Sequence, residues 1–225
     1  MTTDPCHSVA RASGHPCHPC LLAHRLRHGA LAVILAAALA ACSSPPPPRD
    51  NHYRLEAVPA GTALARPVFP GVMEVNRLDV DGMLSERGLV YQDADGTLAR
   101  WRYDLWSDPP ATALQMELAE ALRAANMAEQ VVTPDLRVPP DWMVRGRLFR
   151  FEALPAQGKV VIKLQLAAVS ARDGTLVLLK TYVVEPALDG KGPEAAVTAL
   201  NRGASELLSR FVSDLSHVTP PVSRR

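Results

Sequence analysis

Cysteine and histidine residues near the start of the chain have the types and spacing of zinc ligands. The run Cys17-His18-Pro19-Cys20 places two thiols three positions apart, with Cys6, His7 and His15 nearby. Thiolates and imidazoles at such spacings bind Zn²⁺ in many small proteins. However, these residues precede an apolar run typical of a signal peptide, so we expect them to be removed with it. The sequence therefore predicts no metal site and no cofactor in the mature protein.

Cys42 is the clearest candidate for a covalent modification. The apolar segment Ala30–Ala41 follows Arg25 and Arg27 and ends in Leu39-Ala40-Ala41-Cys42. A positive flank followed by about a dozen apolar residues is typical of a secretory signal peptide. The run is too short for a transmembrane helix, which needs roughly 20 apolar residues. The four residues ending in Cys42 resemble the lipobox of bacterial lipoproteins, in which the cysteine is diacylated and becomes the first mature residue.

This motif divides the precursor into a signal peptide, residues 1–41, and a lipidated, proline-rich tether, residues 42–51. Because the part before the apolar run is long for a signal peptide, a translation start after Met1 is an open alternative. Pro45–Pro48 favour an extended polyproline II conformation that would keep the domain away from the lipid. Several acyl chains would hold the protein stably on a membrane. Ser43, in place of aspartate, matches sorting to the outer membrane, where we expect the protein to face the periplasm.

Composition limits what the mature chain can be. Removing residues 1–41 leaves 184 of the 225 residues, enough for one domain. The same cut removes three arginines and one aspartate, which changes the net charge from +1 to −1. The sequence shows no clustered basic face, so we expect no nucleic-acid binding. All four cysteines lie at or before Cys42, so the mature domain has no disulfide and its core must supply the stability.

A two-residue alternation predicts most of the strands. In the clearest case Ala99, Trp101, Tyr103 and Leu105 form one face of a strand that follows a hairpin turn. Further on, three closely spaced strands predict an antiparallel meander, with a bulge near Leu148 in its first strand. The other predicted strands are Tyr53–Leu55, Val72–Val80, Leu89–Gln92 and Gln130–Thr133, and the meander strands are Trp142–Glu152, Lys159–Val169 and Leu176–Val184.

Apolar residues at three- and four-residue steps predict two helices. The first starts after Asp108-Pro109-Pro110, and the second starts at Pro193 and continues to Leu215. The fold class that follows is α/β, a single domain with a twisted, mixed but largely antiparallel sheet covered by two main amphipathic helices. We expect this domain to occupy residues 52–217, with a disordered tail over 218–225.

No motif for catalysis is present. The sequence contains no Gly-x-Ser-x-Gly elbow, phosphate-binding loop, dinucleotide fingerprint or His-Glu-x-x-His. A serine–histidine pair would have to use His52 in the tether region or His217 near a helix end. We interpret both as solvated surface residues, and predict that the protein is not an enzyme.

The aromatic residues between positions 101 and 106 are the one cluster that could form a binding site. We predict that Trp101 and Tyr103 face the first helix and fill the core. Trp106 has the opposite parity and precedes the double proline. Trp106, with Pro109 and Pro110, is therefore the candidate contact with a partner or with lipid.

The order of these elements resembles the ABC-type transport auxiliary lipoproteins, the family that includes the PqiC-type proteins. The resemblance covers roughly Tyr53 to Leu215. It is carried by the lipobox, by Tyr53-Arg54-Leu55, by Leu89-Val90-Tyr91 and by the stretch from Trp101 to Pro109. Its motif residues are ones that we expect in the core: Tyr53, Leu55, Tyr91, Trp101 and Tyr103.

This resemblance implies a noncatalytic role as partner of a transport system. Such a system has a periplasmic MCE-domain protein, an inner-membrane permease and a cytoplasmic ATPase, and moves phospholipids or other apolar molecules between membranes. The lipoprotein would dock the MCE assembly to the outer membrane. Two alternatives remain open, an independent periplasmic lipid carrier with its own cavity and a structural or assembly lipoprotein. A homo-oligomer is also possible.

Overall fold

The computed structural model describes residues 48–58 and 60–220. The predicted signal peptide, Cys42 and the last five residues of the predicted tail lie outside this part of the chain. No helix within the described residues is long and apolar enough to cross a membrane.

The described residues form nine strands and two helices. Their order along the chain is β1 Asn51–Tyr53, β2 Phe69–Val75, β3 Asp79–Val80, β4 Gly88–Gln92, β5 Leu98–Trp106, α1 Pro110–Ala124, β6 Ala128–Val132, β7 Trp142–Leu154, β8 Lys159–Ser170, β9 Leu176–Val184 and α2 Gly192–Ser216.

All nine strands belong to one mixed sheet, which confirms the predicted fold class. As predicted, β7, β8 and β9 form an antiparallel meander, and β4 pairs with β5 as an antiparallel hairpin. The parallel pairs were not predicted. They join β1 to β5, β2 to β6, and β2, β3 and β4 in turn to β7.

The long strand β7 organises the sheet. It pairs with β8 along its whole length, while β2, β3 and β4 each pair with one section of β7. The predicted single strand Val72–Val80 is therefore two strands, since the chain shifts from one section of β7 to the next. The predicted bulge is confirmed: Leu148 pairs with Leu164 but Arg150 pairs with Lys163, which leaves Phe149 extra.

Both helices pack on the same core cluster as the sheet. The helix α2 contacts β7, β8 and β9, and α1 contacts β2 and β6. Val160, Ile162, Leu164, Leu166 and Ala168 alternate along β8 and are all buried in this cluster. The residues that alternate with them on the opposite face are only half-buried: Lys163, Gln165, Ala167 and Val169. The helices therefore cover one face of the meander and leave the other face open.

Gly203 allows α2 to approach the sheet closely. A β-carbon at this position would lie 3.0 Å from Cδ1 of Ile162 and 3.0 Å from Cγ of Pro186. Contacts of this kind are tighter than packed carbon atoms normally accept. A side chain at position 203 would push the helix away from β8.

Candidate functional site

The structure buries Trp106, so the prediction that this side chain contacts a partner is wrong. Its exposed fraction is 2%, and its ring packs against Phe151 at a centroid distance of 5.6 Å. Pro110 is also buried at the start of α1. Of the three candidate contact residues, Pro109 alone remains partly accessible.

The pairing of β4 with β5 explains why the parity of Trp106 was misleading. Val90 pairs with Arg100, whereas Gly88 pairs with Leu105. A step of two residues along β4 therefore corresponds to a step of five residues along β5, which leaves three extra residues in β5. Because three is an odd number, the side chains of β5 beyond this point lie on the opposite face from the one that regular alternation predicts. Trp106 consequently points into the core although Trp101 precedes it by five positions.

The family-motif residues lie in the core or along its margin. Leu55 is buried, while Tyr53, Tyr91 and Trp101 are half-buried and pack against the core cluster. The rings of Tyr91 and Trp101 are tilted, with centroids 4.6 Å apart. Tyr103 is half-exposed, and its ring faces the Arg102 guanidinium at 5.4 Å instead of filling the core. The prediction of a core position is therefore wrong for Tyr103.

Tyr53 fixes the first strand of the domain to β5. Its hydroxyl donates a hydrogen bond to Oδ1 of Asp104 at 3.1 Å, and its carbonyl accepts from the Ser107 N–H at 2.7 Å. Partial burial, together with the Asp104 carboxylate, raises the pKa of Tyr53 to about 12. The phenol is therefore neutral at physiological pH and acts as a donor.

The segment after β1 lies along both helices and is held by side-chain acceptors. We call Glu56, Ala57, Val58 and Ala60 the strap. Three of its N–H groups donate to α2: Glu56 to Asn201 Oδ1 at 3.3 Å, Val58 to Ser205 Oγ at 3.0 Å and Ala60 to Ser209 Oγ at 2.8 Å.

The geometry of the strap follows from two repeats that nearly match. Alternate residues of an extended chain are about 6.6 Å apart, and every fourth residue of a helix is about 6 Å apart. Asn201, Ser205 and Ser209 are spaced by four along α2, so each meets every second residue of the strap. The remaining N–H, that of Ala57, donates to Glu117 of α1 at 3.1 Å. The Glu117 carboxylate therefore has a structural partner in the strap.

A charged cluster lies beyond the strap, where β9 meets α2. Lys180 Nζ and the Tyr182 hydroxyl both donate to Oδ2 of Asp214 at 2.7 Å. Burial alone would raise the pKa of Asp214, but these hydrogen bonds outweigh it and hold the pKa below its ordinary value. These residues line a surface cavity of about 620 Å³ together with Ser209, Arg210 and Ser213. Lys180 pairs with Asp214 and Arg210 pairs with the nearby Glu206, so the cavity has little capacity left for a charged ligand.

The open face of the meander carries exposed apolar side chains. Phe149, Leu179 and Val183, which we call the open-face patch, have exposed fractions of 42%, 53% and 46%. Lys163 Nζ lies 5.3 Å from the centre of the Phe149 ring, and Lys163 pairs with Val183 across the strands. Grouped apolar residues of this kind are typical of interaction surfaces.

A second cavity lies over β4 and β5, next to Pro109. Its volume is about 690 Å³, and its walls include three arginines and the half-buried side chain of Trp101. Sequence reasoning missed this cavity because residues from the turn before β4 and from β5 come together only through the strand pairing.

The described residues contain no group of three or more histidine, cysteine, aspartate or glutamate side chains that could hold a metal ion. His52 and His217 are both exposed. The ring of His217 contacts the Ser213 carbonyl and the Ser216 hydroxyl near the end of α2.

Comparison with known protein families decides where this fold belongs. Residues 53–212 match the model of the ABC-type transport auxiliary lipoprotein component. The chain belongs to this family. The match begins at Tyr53 and ends within α2, so it includes the strap, β2 to β9, α1 and most of α2. The family places this auxiliary lipoprotein in the cell envelope as a component of ABC-type transport.

Solved structures support the same fold. A Xanthomonas campestris protein matches with a TM-score of 0.63 at 16% identity, over 72% of this chain and 92% of its own. A second, uncharacterized protein matches with a TM-score of 0.60 at 18% identity, over 75% of this chain and 99% of its own. No curated protein sequence matches the auxiliary lipoprotein significantly. At these identities the structures bear on the fold alone.

Proposed function

We propose that this auxiliary lipoprotein is a noncatalytic docking subunit of an MCE-type ABC transport system. Acyl chains on Cys42 would anchor it to the outer membrane. The folded domain would face the periplasm and bind the MCE-domain protein, whose permease and ATPase complete the system. The cargo would be phospholipid or another apolar molecule.

The observation that carries this proposal is the family match across residues 53–212, together with a core that is already full. Large side chains between the sheet and the helices, including Phe69, Phe151 and Phe211, are less than 2% exposed. An independent lipid carrier needs apolar volume that side chains do not fill. A filled core therefore favours docking over carriage.

The open-face patch is the surface that we assign to the MCE-domain protein. The helices do not cover Phe149, Leu179 and Val183, which remain exposed on the open face of the meander. Aromatic and apolar residues near the centre of a desolvated patch contribute most of the binding free energy in protein interfaces. The adjacent Lys163 and Arg147 would lie at the polar rim.

The test is affinity purification of the lipidated protein from detergent-solubilised envelopes, with mass spectrometry of the bound proteins. We expect an MCE-domain protein and its permease to be recovered with the native chain. The double variant Phe149→Ser/Val183→Ser should bind at least about tenfold more weakly, because it removes two apolar anchors.

The matched control is Met116→Ser/Leu136→Ser, which replaces two apolar residues of similar exposure elsewhere. This control should bind like the native chain. If the native chain recovers no MCE-domain protein, the docking function is rejected. If both double variants lose binding equally, the assignment of the open-face patch is rejected while docking stands.

A further inference from the structure

We propose that the cavity over β4 and β5 binds the phosphate of an anionic phospholipid in the membrane to which the chain is anchored. This inference rests on the proposed lipid anchor and adds a second, headgroup-specific contact with the same membrane. Phosphatidylglycerol is the model ligand.

The first support is the charge of the cavity. Arg87, Arg100 and Arg102 lie in its walls, and Glu86 is the one acidic residue among those lining it. Arg100 forms an ion pair with Glu86. The other two guanidinium groups have no carboxylate partner among the described residues, so the lining carries an excess of two positive charges.

The second support is the unused donor capacity of those two groups. The one side-chain hydrogen bond of Arg87 is a long contact of 3.5 Å from Nη1 to the Ser107 carbonyl. Arg102 contacts the ring of Tyr103 at 5.4 Å. A guanidinium has five N–H donors in a planar fork that matches phosphate oxygens. The cavity therefore offers donors for a phosphate without first breaking an ion pair.

Gly88 helps to shape this cavity. A β-carbon on Gly88 would clash with Cδ of Arg100, so its absence lets the Arg100 side chain lie across β4. From that position Arg100 pairs with Glu86 and leaves the space beside it to Arg87 and Arg102. A larger residue at position 88 would displace Arg100 into the cavity.

The apolar part of the lining favours an amphiphile over a free anion. Trp101, Leu105 and Pro109 are half-buried and lie beside the arginines. Tryptophan is enriched at the boundary between headgroups and acyl chains. The volume of about 690 Å³ accommodates a headgroup with its glycerol and the first carbons of the chains.

The position of the cavity in the fold also favours lipid. β1 pairs with the end of β5 that contributes Leu105, through Asn51 with Asp104 and Tyr53 with Trp106. The chain between Cys42 and Asn51 spans about 30 Å at most, even when extended. The site therefore lies beside β1, the first strand after the proposed tether. A soluble acidic partner gains nothing from this placement.

The experiment uses the lipidated protein reconstituted into phosphatidylcholine vesicles with increasing phosphatidylglycerol and a trace of headgroup-spin-labelled lipid. Tryptophan emission reports contact, since Trp106 and Trp142 are buried and Trp101 is the accessible indole. We expect quenching to rise with phosphatidylglycerol. In Arg87→Gln/Arg102→Gln the midpoint should move to at least about fivefold more phosphatidylglycerol, since each arginine near an anionic surface contributes about that factor.

Arg66→Gln/Arg77→Gln removes the same charge from two other exposed positions and should leave the midpoint unchanged. Trp101→Phe should abolish the change in quenching, which confirms the reporter. Equal shifts in both double variants would mean that general charge attraction, not this cavity, binds the lipid, and would overturn the proposal.

The remaining outcomes separate this inference from the proposed function. If the native protein does not float with the vesicles, the anchor is absent and the docking proposal fails with it. If it floats but quenching is independent of phosphatidylglycerol, the headgroup site is rejected and the anchor stands. Displacement of the lipid by an equal concentration of inorganic phosphate would show a site for the free anion. Binding of an oligoglutamate peptide through Arg87 and Arg102, with no response to lipid, would show a site for acidic protein. Displacement by phosphate and binding of the peptide would each overturn the proposal.

Discussion

At the level of single residues, Trp106 shows how one irregular strand pairing changes the role of a side chain. The two-residue period of β5 holds from Leu98 to Tyr103, and simple continuation places Trp106 on the solvent side. The unequal numbers of residues between paired positions of β4 and β5 reverse that assignment. An aromatic residue that could have been a surface contact is thus a core residue.

We expect Trp106→Ala to lower the free energy of unfolding by about 3–5 kcal/mol, because it removes a fully buried indole and leaves a cavity beside Phe151. Urea denaturation followed by far-UV circular dichroism measures this change. Tyr103→Ala is the matched control, since Tyr103 is half-exposed and its loss should cost less than about 1 kcal/mol. A cost for Trp106→Ala as small as that of the control would contradict the buried position.

At the level of elements, the periodicity of the sequence predicted the helices and the antiparallel strands. It did not predict the parallel pairing of strands that are far apart in the chain. The meander, the β4–β5 hairpin, both helices and the bulge near Leu148 are all confirmed, because each is encoded by residues close together in the chain. The parallel pairs of β1 with β5 and of β2 with β6 depend on contacts across about fifty residues, and no local pattern specifies them. The first strand was placed two residues late for the same reason.

The strap is an element that sequence reasoning did not foresee, although one signal was present. Asn201, Ser205, Ser209 and Ser213 recur at four-residue steps and form a polar line along one face of α2. Ser205 and Ser209 each donate to the helix carbonyl four residues earlier while accepting from the strap. Such a line next to an apolar stripe indicates a bound backbone segment.

We expect Ser205→Ala/Ser209→Ala to speed amide hydrogen exchange at Val58 and Ala60 by roughly fivefold to a hundredfold, because two hydrogen bonds to the strap are lost at about 0.5–1.5 kcal/mol each. The Glu117 contact of Ala57 should persist, so its amide should change less. Ser213→Ala serves as the control, since Ser213 continues the polar line and lines the neighbouring cavity without contacting the strap. Unchanged exchange at Val58 and Ala60 in the double variant would show that these hydroxyls do not hold the strap.

At the level of the whole molecule, the folded domain defines the fold and the family, whereas the membrane attachment that we propose depends on the sulfur atom of Cys42. We propose that acyl chains on Cys42 provide stable attachment, because such chains bury many methylenes at about 0.8 kcal/mol each.

Cys42→Ser should prevent acylation and abolish incorporation of labelled palmitate. After detergent phase separation, the native chain should enter the detergent phase and migrate as a smaller band, because cleavage before Cys42 removes residues 1–41. The serine variant should retain the uncleaved signal segment, visible as a larger band. Ser43→Asp is the companion variant: it keeps the label but should move the protein to the inner-membrane fraction. Palmitate label on the Cys42→Ser chain would disprove this assignment.

The strap affects how a protein that is anchored through its N-terminal segment would respond to mechanical force. Its hydrogen bonds run across the direction of the chain, so a force applied along the segment loads several of them at once in shear. A force directed away from α2 would instead break them one at a time. The strap should therefore resist a force directed along the segment better than a force that lifts it from α2.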